Sequence, residues 1–163
     1  DAKPDGIVLI SYYADAALIC RQVRSVGLTQ PIAAIGSVYS PKFIELGGKD
    51  VDGVYTESVF FPGDSRPEVK AFVDTYKARY GEEPDEFSAD AYDTFILLAA
   101  VMNRFGTTRQ DIHDGLGKIK DVPSVIFGKA SFDTQTRRVT GGTAVDLVVK
   151  DGKFQQWDGK KPT

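Results

Sequence analysis

Short apolar runs rich in β-branched residues alternate with segments of helical period in the first third of this chain. The apolar runs are Gly6–Ile10, Pro31–Ile35 and Gly53–Thr56, whereas Ala14–Val26 and Pro41–Leu46 place apolar residues at helical spacing before a glycine. Such alternation predicts βαβ units, in which consecutive strands lie parallel and helices cover the sheet. Because continuous apolar strands are typical of buried parallel sheets, we expect the first strand to be covered on both faces.

The middle of the chain is predicted to be helical. Ser65 and Glu68 have the spacing of a capping box, and an apolar stripe follows them. A longer helix is predicted over Ser88–Phe105. Its apolar residues surround so much of the helix that we expect it to be buried between layers. A third helix follows, with Thr108 and Asp111 at its cap.

The last part of the chain changes to short extended segments. Ser124–Gly128 and Ala130–Phe132 are predicted to be extended, and Ala144–Val149 is predicted to be a strand. Asp-Gly within Lys150–Lys153 favours a hairpin turn that leads into Phe154–Trp157, because such a turn needs two residues with positive φ. The fold class is therefore α/β, with a mostly parallel sheet, flanking helices and a C-terminal β-hairpin.

The composition excludes several classes of protein. The chain has 163 residues, one cysteine and a formal net charge of −3, with both signs of charge mixed along it. One cysteine cannot form an intramolecular disulfide, and Cys20 is expected on the buried face of a helix. Without a Lys/Arg run, nucleic acid is not an expected partner. The longest apolar stretch, Phe95–Met102, is far shorter than the roughly 20 residues of a membrane helix, and the polar residues 1–5 do not predict a signal peptide.

No catalytic group or metal site stands out in the sequence. His113, the only histidine, lies beside Asp111 and Asp114 in a polar helical turn, and no serine lies on a nucleophile-elbow motif. These three side chains do not form a convincing set of metal ligands. Asp90 and Asp93 fall in the first turns of a helix, where negative charge favours the helix dipole. We therefore predict a protein that is not an enzyme and that needs no metal or cofactor.

Three loops follow the carboxyl ends of the predicted strands, where open α/β sheets bind their ligands. They are Ser11–Tyr13, Gly36–Tyr39 and Ser58–Phe61. Together they offer aromatic rings, hydroxyls and backbone N–H groups, a mixture that suits a small polar molecule with an apolar part. Tyrosines in loops also serve as packing or surface residues, so both interpretations stay open at this point.

Four stretches, in fixed order over nearly the whole chain, carry a resemblance to a known family. They are Pro4–Val8 with Tyr12-Tyr13 and Arg21–Leu28; Phe61–Gly63 with Phe72–Tyr76 and Tyr80–Pro84; Ala91–Thr94; and Phe127-Gly128 with Phe132-Asp133 and Val149–Phe154. Their order and spacing resemble the type I periplasmic binding proteins, specifically the leucine/isoleucine/valine-binding group. The resemblance implies a fold of two α/β lobes joined by three crossovers, with the ligand trapped between the lobes.

The resemblance also assigns parts of the chain to lobes. Residues 1–59 and 145–157 match segments of lobe two, and residues 63–142 match the returning part of lobe one. The front of such a receptor is then missing, so that strand edges and apolar helix faces lack partners. Either the chain is a fragment, or a homodimer or a second fragment covers those surfaces.

By the same resemblance, five side chains are candidates for ligand contact: Tyr12, Tyr13, Ser37, Tyr39 and Tyr92. A tyrosine ring packs against an apolar group while its hydroxyl meets a polar head. Amino-acid binders of this family usually pair the ligand ammonium with a carboxylate from the second loop, where this chain has Gly36 and Ser37. Asp15 could replace that carboxylate. An amino acid, an aromatic or other carboxylate, and an amide all stay open as ligands.

The function that the resemblance implies is that of a periplasmic or otherwise extracytoplasmic solute-binding component of an ABC transporter. Such a receptor closes around a small molecule by a hinge motion and delivers it to an inner-membrane permease. The same fold also serves as the ligand-sensing domain of signalling or regulatory proteins. The residues alone do not separate transport from sensing.

Overall fold

The computed structural model describes residues 3–142 and 144–160. The chain forms two compact units: unit 1 comprises Asp1–Ser58 with Ala144–Thr163, and unit 2 comprises Val59–Thr143. The assignment of these units to the two lobes of a receptor stays a prediction.

Eight strands and five α-helices make up the described part of the chain. In chain order they are β1 (Ile7–Leu9), α1 (Tyr13–Ser25), β2 (Ile32–Ala34), α2 (Pro41–Gly47), β3 (Val54–Ser58), α3 (Pro67–Tyr80), α4 (Glu86–Phe105), α5 (Arg109–Leu116), β4 (Val122–Ser124), β5 (Gly128–Asp133), β6 (Arg138–Thr140), β7 (Val145–Lys150) and β8 (Lys153–Gln156). Short 3-10 turns, Gly36–Val38 and Gly48–Val51, flank α2.

Unit 1 is built around a five-stranded sheet in the order β1-β2-β3-β7-β8. The strands β1, β2 and β3 pair in parallel, whereas β7 joins β3, and β8 joins β7, in antiparallel fashion. The β7–β8 turn has Asp151 at φ 53° and Gly152 at φ 70°, as a two-residue hairpin turn with two positive φ angles requires. The predicted α/β class, with flanking helices, a parallel-rich sheet and a C-terminal hairpin, is confirmed.

The core of unit 1 lies on one face of this sheet. Leu9, Ile32 and Val54 point from the parallel strands into a cluster that also holds Cys20 of α1 and Phe43 of α2. The Cys20 side chain is fully buried, and desolvation is the main reason that the pKa of its thiol is raised. The prediction that Cys20 is a small buried hydrophobe therefore agrees with its surroundings.

The opposite face of the sheet carries a row of side chains in direct register. The row consists of Val8, Ala33, Tyr55, Val148 and Gln155, one from each strand. Val8 is 76% exposed, so the expectation that the first strand is covered on both faces is wrong for this chain. The physical reason is that both α1 and α2 pack on the face of Leu9, Ile32 and Val54.

Unit 2 combines three helices with an antiparallel sheet in the order β4-β5-β6. The capping box expected at Ser65 is wrong, because the N-cap residue of α3 is Arg66, followed by Pro67. Asp64 instead accepts the Arg66 backbone N–H at 2.9 Å. At the start of α5, Thr108 and Asp111 cap the helix, as predicted, and the reciprocal bonds of a capping box join them.

Two further expectations for unit 2 need correction. The helix α4 is not buried all round, because Phe95 is 73% exposed while Ile96, Leu97 and Val101 pack with α5 and β4. Val125–Phe127, expected to be extended, form a turn between β4 and β5. Hydrogen bonds that this segment donates to a buried carboxylate, described below, hold it away from a strand geometry.

Candidate functional site

The loops that follow β1 and β2 meet at one edge of the unit 1 sheet, which we call the carboxyl edge (residues 10–13 and 35–39). The Ser37 hydroxyl donates a hydrogen bond of 2.9 Å to the Ser11 carbonyl oxygen and so joins the two loops. The Ile35 N–H donates to the Leu9 carbonyl at 3.3 Å, and the Thr56 hydroxyl donates to the Ile35 carbonyl at 3.1 Å. The parallel register of β1, β2 and β3 is therefore what brings these loops together.

The amino end of α1 lies at this edge. Tyr12 is its N-cap residue, and within residues 3–142 and 144–160 the Tyr12 side chain makes no capping hydrogen bond to the helix. First-turn N–H groups of a helix have no intrahelical acceptor and attract negative charge. Asp15, in the same turn, is an exposed carboxylate. The carboxyl edge thus offers donors for a ligand carboxylate or carbonyl and one group that can meet a cation.

The predicted tyrosines of unit 1 occupy different surroundings. The Tyr12 side chain is 67% exposed at the carboxyl edge, whereas Tyr13 is partly buried against the core. Tyr39 is only 7% exposed, and its ring packs edge-on against Phe154 with centroids 4.8 Å apart. Tyr39 therefore has a core role that sequence reasoning missed. Contact of Tyr12, Tyr13, Ser37 or Tyr39 with a ligand stays a prediction.

The third predicted loop contributes less than expected. Phe60 is fully buried and packs edge-on against Phe72, with ring centroids 5.7 Å apart. Ser58 is also buried. Phe60 therefore belongs to the core of unit 2, where its ring has apolar neighbours.

Tyr92, the remaining candidate, lines a cavity of about 770 Å³ between α3 and α4 in unit 2. We call it the aromatic cavity, because Phe72, Tyr76, Tyr80 and Phe95 also line it. The Tyr92 and Phe72 rings lie 4.8 Å apart, and 44% of the Tyr92 surface is exposed. Cavities of this size and apolar lining are typical of small-molecule sites.

One wall of the aromatic cavity is held by a buried carboxylate. Asp93 is 8% exposed and accepts hydrogen bonds from the Ser124 hydroxyl at 2.5 Å, the Val125 N–H at 2.9 Å and the Ile126 N–H at 3.0 Å. The Ser124 oxygen in turn accepts the Phe127 N–H at 2.7 Å. Sequence reasoning assigned Asp93 to the helix dipole. This assignment is incomplete, since the partners of Asp93 lie more than thirty residues away along the chain.

The Arg66 guanidinium holds the same turn by donating to the carbonyl groups of the turn. Its Nη2 donates to the Val125 carbonyl at 3.0 Å, and its Nε donates to the Asp64 carboxylate at 2.8 Å. The turn Ser124–Phe127, which we call the clamped turn, is thus bound by a carboxylate at its N–H groups and by a guanidinium at its carbonyl groups. Charge-assisted hydrogen bonds of this kind are stronger than neutral ones.

Asp90, one turn before Asp93 on α4, has a perturbed carboxyl group. Its pKa is raised above the usual value, mainly because neighbouring groups partly desolvate the carboxyl although the residue is exposed, and further by repulsion from the Asp93 carboxylate. A folded-state pKa above the unfolded-state value means that the ionised side chain opposes folding once the pH rises through the folded-state pKa. Below the unfolded-state pKa the Asp90 carboxyl is protonated in both the folded and the unfolded state. The contribution of the protonated side chain to the free energy of unfolding is then fully present, and it is lost as the pH rises through the folded-state pKa.

We therefore expect Asp90→Asn to raise the free energy of unfolding at about pH 7 and to lose this advantage as the pH falls towards about 4. Urea denaturation of both proteins across this range measures the difference. Asp5→Asn, at an exposed position of unit 1, controls for the removal of one negative charge. An Asp90→Asn gain that is independent of pH would contradict the assignment.

Two absences hold for the described part of the chain. Residues 3–142 and 144–160 contain no group of three or more histidine, cysteine, aspartate or glutamate residues that could hold a metal ion. None of the helices in those same residues is long and apolar enough to cross a membrane.

Comparison with known proteins adds independent information. The family model described as "Periplasmic binding protein" matches residues 1–153. A leucine-binding protein from Thermotoga maritima is 31% identical over 94% of this chain, with a TM-score of 0.85. A branched-chain amino acid transporter substrate-binding protein from Streptococcus pneumoniae, solved with isoleucine, is 32% identical over 94% of this chain, with a TM-score of 0.83. An ABC transporter substrate-binding protein from Desulfitobacterium hafniense is 26% identical over 94%, with a TM-score of 0.76.

This chain spans less than half the length of those solved structures, since it covers 44% of each of the three. No functionally curated protein matches it. The likeness to the Thermotoga and Streptococcus proteins extends over both units of the chain, because 94% of it is matched in each case.

Proposed function

Since this chain belongs to the periplasmic binding protein family, we propose that it is a solute-binding component of an ABC transporter that retains a small molecule without turning it over. The observation that carries the proposal is the carboxyl edge of unit 1, where Ser37 is bonded to the Ser11 carbonyl. Two strand-end loops and the start of α1 there present N–H groups, hydroxyls and an aromatic ring. Ligands of open α/β sheets bind beyond the carboxyl ends of the strands.

The chemistry of this edge suits a ligand with a carboxylate or carbonyl group and an apolar part. The first turn of α1 offers N–H donors, the exposed Tyr12 ring offers an apolar surface, and Asp15 offers a partner for an ammonium group. The class therefore comprises amino acids, aromatic or other carboxylates, and amides. Because relatives are described as leucine-binding and as bound to isoleucine, leucine and isoleucine are the first compounds to test.

Each unit is proposed to supply its own part of the ligand contacts. In unit 1 these are Tyr12, Tyr13, Ser37 and Tyr39. In unit 2 the contact is Tyr92, beside the aromatic cavity.

The proposed location is extracytoplasmic, and the proposed partner is an inner-membrane ABC permease that accepts the solute. A second copy of the chain, or a second fragment, is proposed to cover apolar surfaces such as the Val8 row of unit 1, since Val8 is 76% exposed. Light scattering, which gives the mass of the species in solution, tests this part of the proposal separately from ligand binding.

Isothermal titration calorimetry with leucine and isoleucine tests the binding function. We expect saturable binding with one ligand per chain, and we expect Ser37→Ala to weaken it about 3–10-fold, because the variant lacks the hydroxyl that joins the two loops. Ser25→Ala is the matched control, since that exposed hydroxyl bonds only to the nearby Gln22 carbonyl among the described residues.

Two results would count against the proposal. If neither amino acids, nor aromatic carboxylates, nor amides bind, the solute-binding function is wrong for this chain. If a bound compound is converted to a product, the non-enzymatic assignment is wrong. Equal affinities of wild type, Ser37→Ala and Ser25→Ala would remove Ser37 from the site but would leave binding itself intact.

A further inference from the structure

We propose that Asp93 is a positioning residue, which fixes the clamped turn against α4 and so sets the wall of the aromatic cavity formed by Pro123, Ser124 and Val125. In this way Asp93 determines which ligand side chains the cavity admits. The inference rests on the proposed function, in which the neighbouring Tyr92 contacts the ligand.

The hydrogen bonds to Asp93 use its carboxyl group only as an acceptor. All three partners are donors, because the Val125 and Ile126 groups are backbone N–H and the Ser124 hydroxyl hydrogen points to Asp93 when its oxygen accepts the Phe127 N–H. A carboxylate has enough lone pairs for three donors. An amide side chain would turn an NH₂ group towards backbone donors and could not reproduce the arrangement.

The clamped turn has little freedom to move while these bonds are intact. Asp93 accepts hydrogen bonds from the N–H groups of the turn, and Arg66 Nη2 donates to the Val125 carbonyl oxygen at 3.0 Å. Arg66 is itself oriented by Asp64 through bonds of 2.8 and 2.9 Å. Side chains whose own positions are fixed by such supporting bonds can hold a binding wall within a fraction of an ångström.

The position of the wall matters for recognition because Asp93, which holds the wall, and Tyr92, which is proposed to contact the ligand, both lie on α4. Tyr92 and Asp93 are consecutive residues, and Tyr92 lines the same cavity as Ser124 and Val125. The bonds of Asp93 therefore set the separation between the Tyr92 region of α4 and the clamped turn. In a packed apolar site, one methylene group more or less changes the affinity roughly 10–200-fold, so a small displacement of this wall is expected to alter selectivity.

The test compares the affinities of the full chain for leucine, isoleucine, valine and phenylalanine in wild type, Asp93→Asn and Ser124→Ala. A purely structural role would lower the folded fraction and would reduce all four affinities by one common factor. A positioning role changes their ratios, and we expect at least one ratio to shift about tenfold or more in Asp93→Asn, and by less in Ser124→Ala, which removes only one donor.

Gly115→Ala is the control for destabilisation alone. A Cβ at Gly115 would lie 2.7 Å from the Val101 side chain, so the substitution disturbs the packing of α5 on α4 at residues that do not line the aromatic cavity. We expect this variant to keep the wild-type affinity ratios. Ser124→Ala keeps the test available should Asp93→Asn not fold.

Amide hydrogen exchange at Val125 and Ile126 provides a readout that does not depend on a ligand. Faster exchange in Asp93→Asn than in Gly115→Ala is the expected result, and equal protection would overturn the clamp. Unchanged affinity ratios in both Asp93→Asn and Ser124→Ala would overturn the positioning role. If wild type binds no amino acid, aromatic carboxylate or amide, it is the proposed function that fails, and the role of Asp93 in ligand selection fails with it.

Discussion

Replacement of Phe43 by alanine is expected to lower the free energy of unfolding by about 3–5 kcal/mol. Phe43 is fully buried on α2 and is stacked on Phe154 of the C-terminal hairpin, with ring centroids 6.2 Å apart. The truncation removes apolar contacts and leaves a cavity between the helix layer and β8, which the surrounding backbone can fill only in part. Urea denaturation monitored by circular dichroism measures the loss.

Leu46→Ala on the same helix is the matched control for Phe43→Ala. Leu46 is 42% exposed, so its truncation is expected to cost less than about 1 kcal/mol. Equal losses for the two variants would mean that the core of unit 1 does not lie where α2 and the hairpin meet. Since α2 follows directly after Ser40, we also expect Phe43→Ala to loosen the Ser37 loop.

Asp93→Ala is expected to destabilise the protein by about 3–5 kcal/mol. The substitution leaves the Ser124 hydroxyl and the Val125 and Ile126 N–H groups without their acceptor, and each buried donor left unpaired costs about 1–3 kcal/mol. Because water can enter the opened site and partly hydrate these three donors, the total destabilisation is expected to be smaller than three times the largest cost per donor. The measurement is again the midpoint and slope of urea denaturation.

Asp90→Ala is the control for Asp93→Ala, because it removes the same chemical group from an exposed position on the same helix. It is expected to be close to neutral or slightly stabilising at about pH 7, in line with its raised pKa. A small effect of Asp93→Ala, comparable to that of Asp90→Ala, would show that the clamped turn finds other hydrogen-bond partners, and the expected destabilisation would then be wrong.

Local patterns predicted most of unit 1 because its elements depend on local chemistry. Apolar β-branched runs gave strands β1 and β2 within a few residues of their observed ends. The Asp-Gly pair predicted the β7–β8 hairpin, since Asp151 and Gly152 both adopt positive φ. The Thr108–Asp111 spacing likewise predicted the cap of α5. In these cases the residues that form a feature are also neighbours in sequence.

Most of the failures share the opposite property, although the failure at Ser65 is a local one. Ser65 has the right spacing for a cap, but Pro67 and the bonds of Asp64 place the start of α3 one residue later. Nothing near Asp93 in the sequence indicates that its partners lie in the clamped turn. Tyr39 looked like a loop tyrosine, yet Phe154, at the far end of the chain, makes it part of the core. Such contacts depend on the tertiary fold, so local propensity does not reveal them.

The burial of Cys20 has a practical consequence for following this protein in solution. Its thiol is inaccessible and its raised pKa keeps it protonated, whereas maleimide reagents react with exposed thiolates. A cysteine introduced at the exposed Ala14 position, two residues after Tyr12, would therefore be the single reactive thiol in the folded chain. A fluorophore attached there would report directly on solute arriving at the carboxyl edge, without any need to remove the native cysteine first.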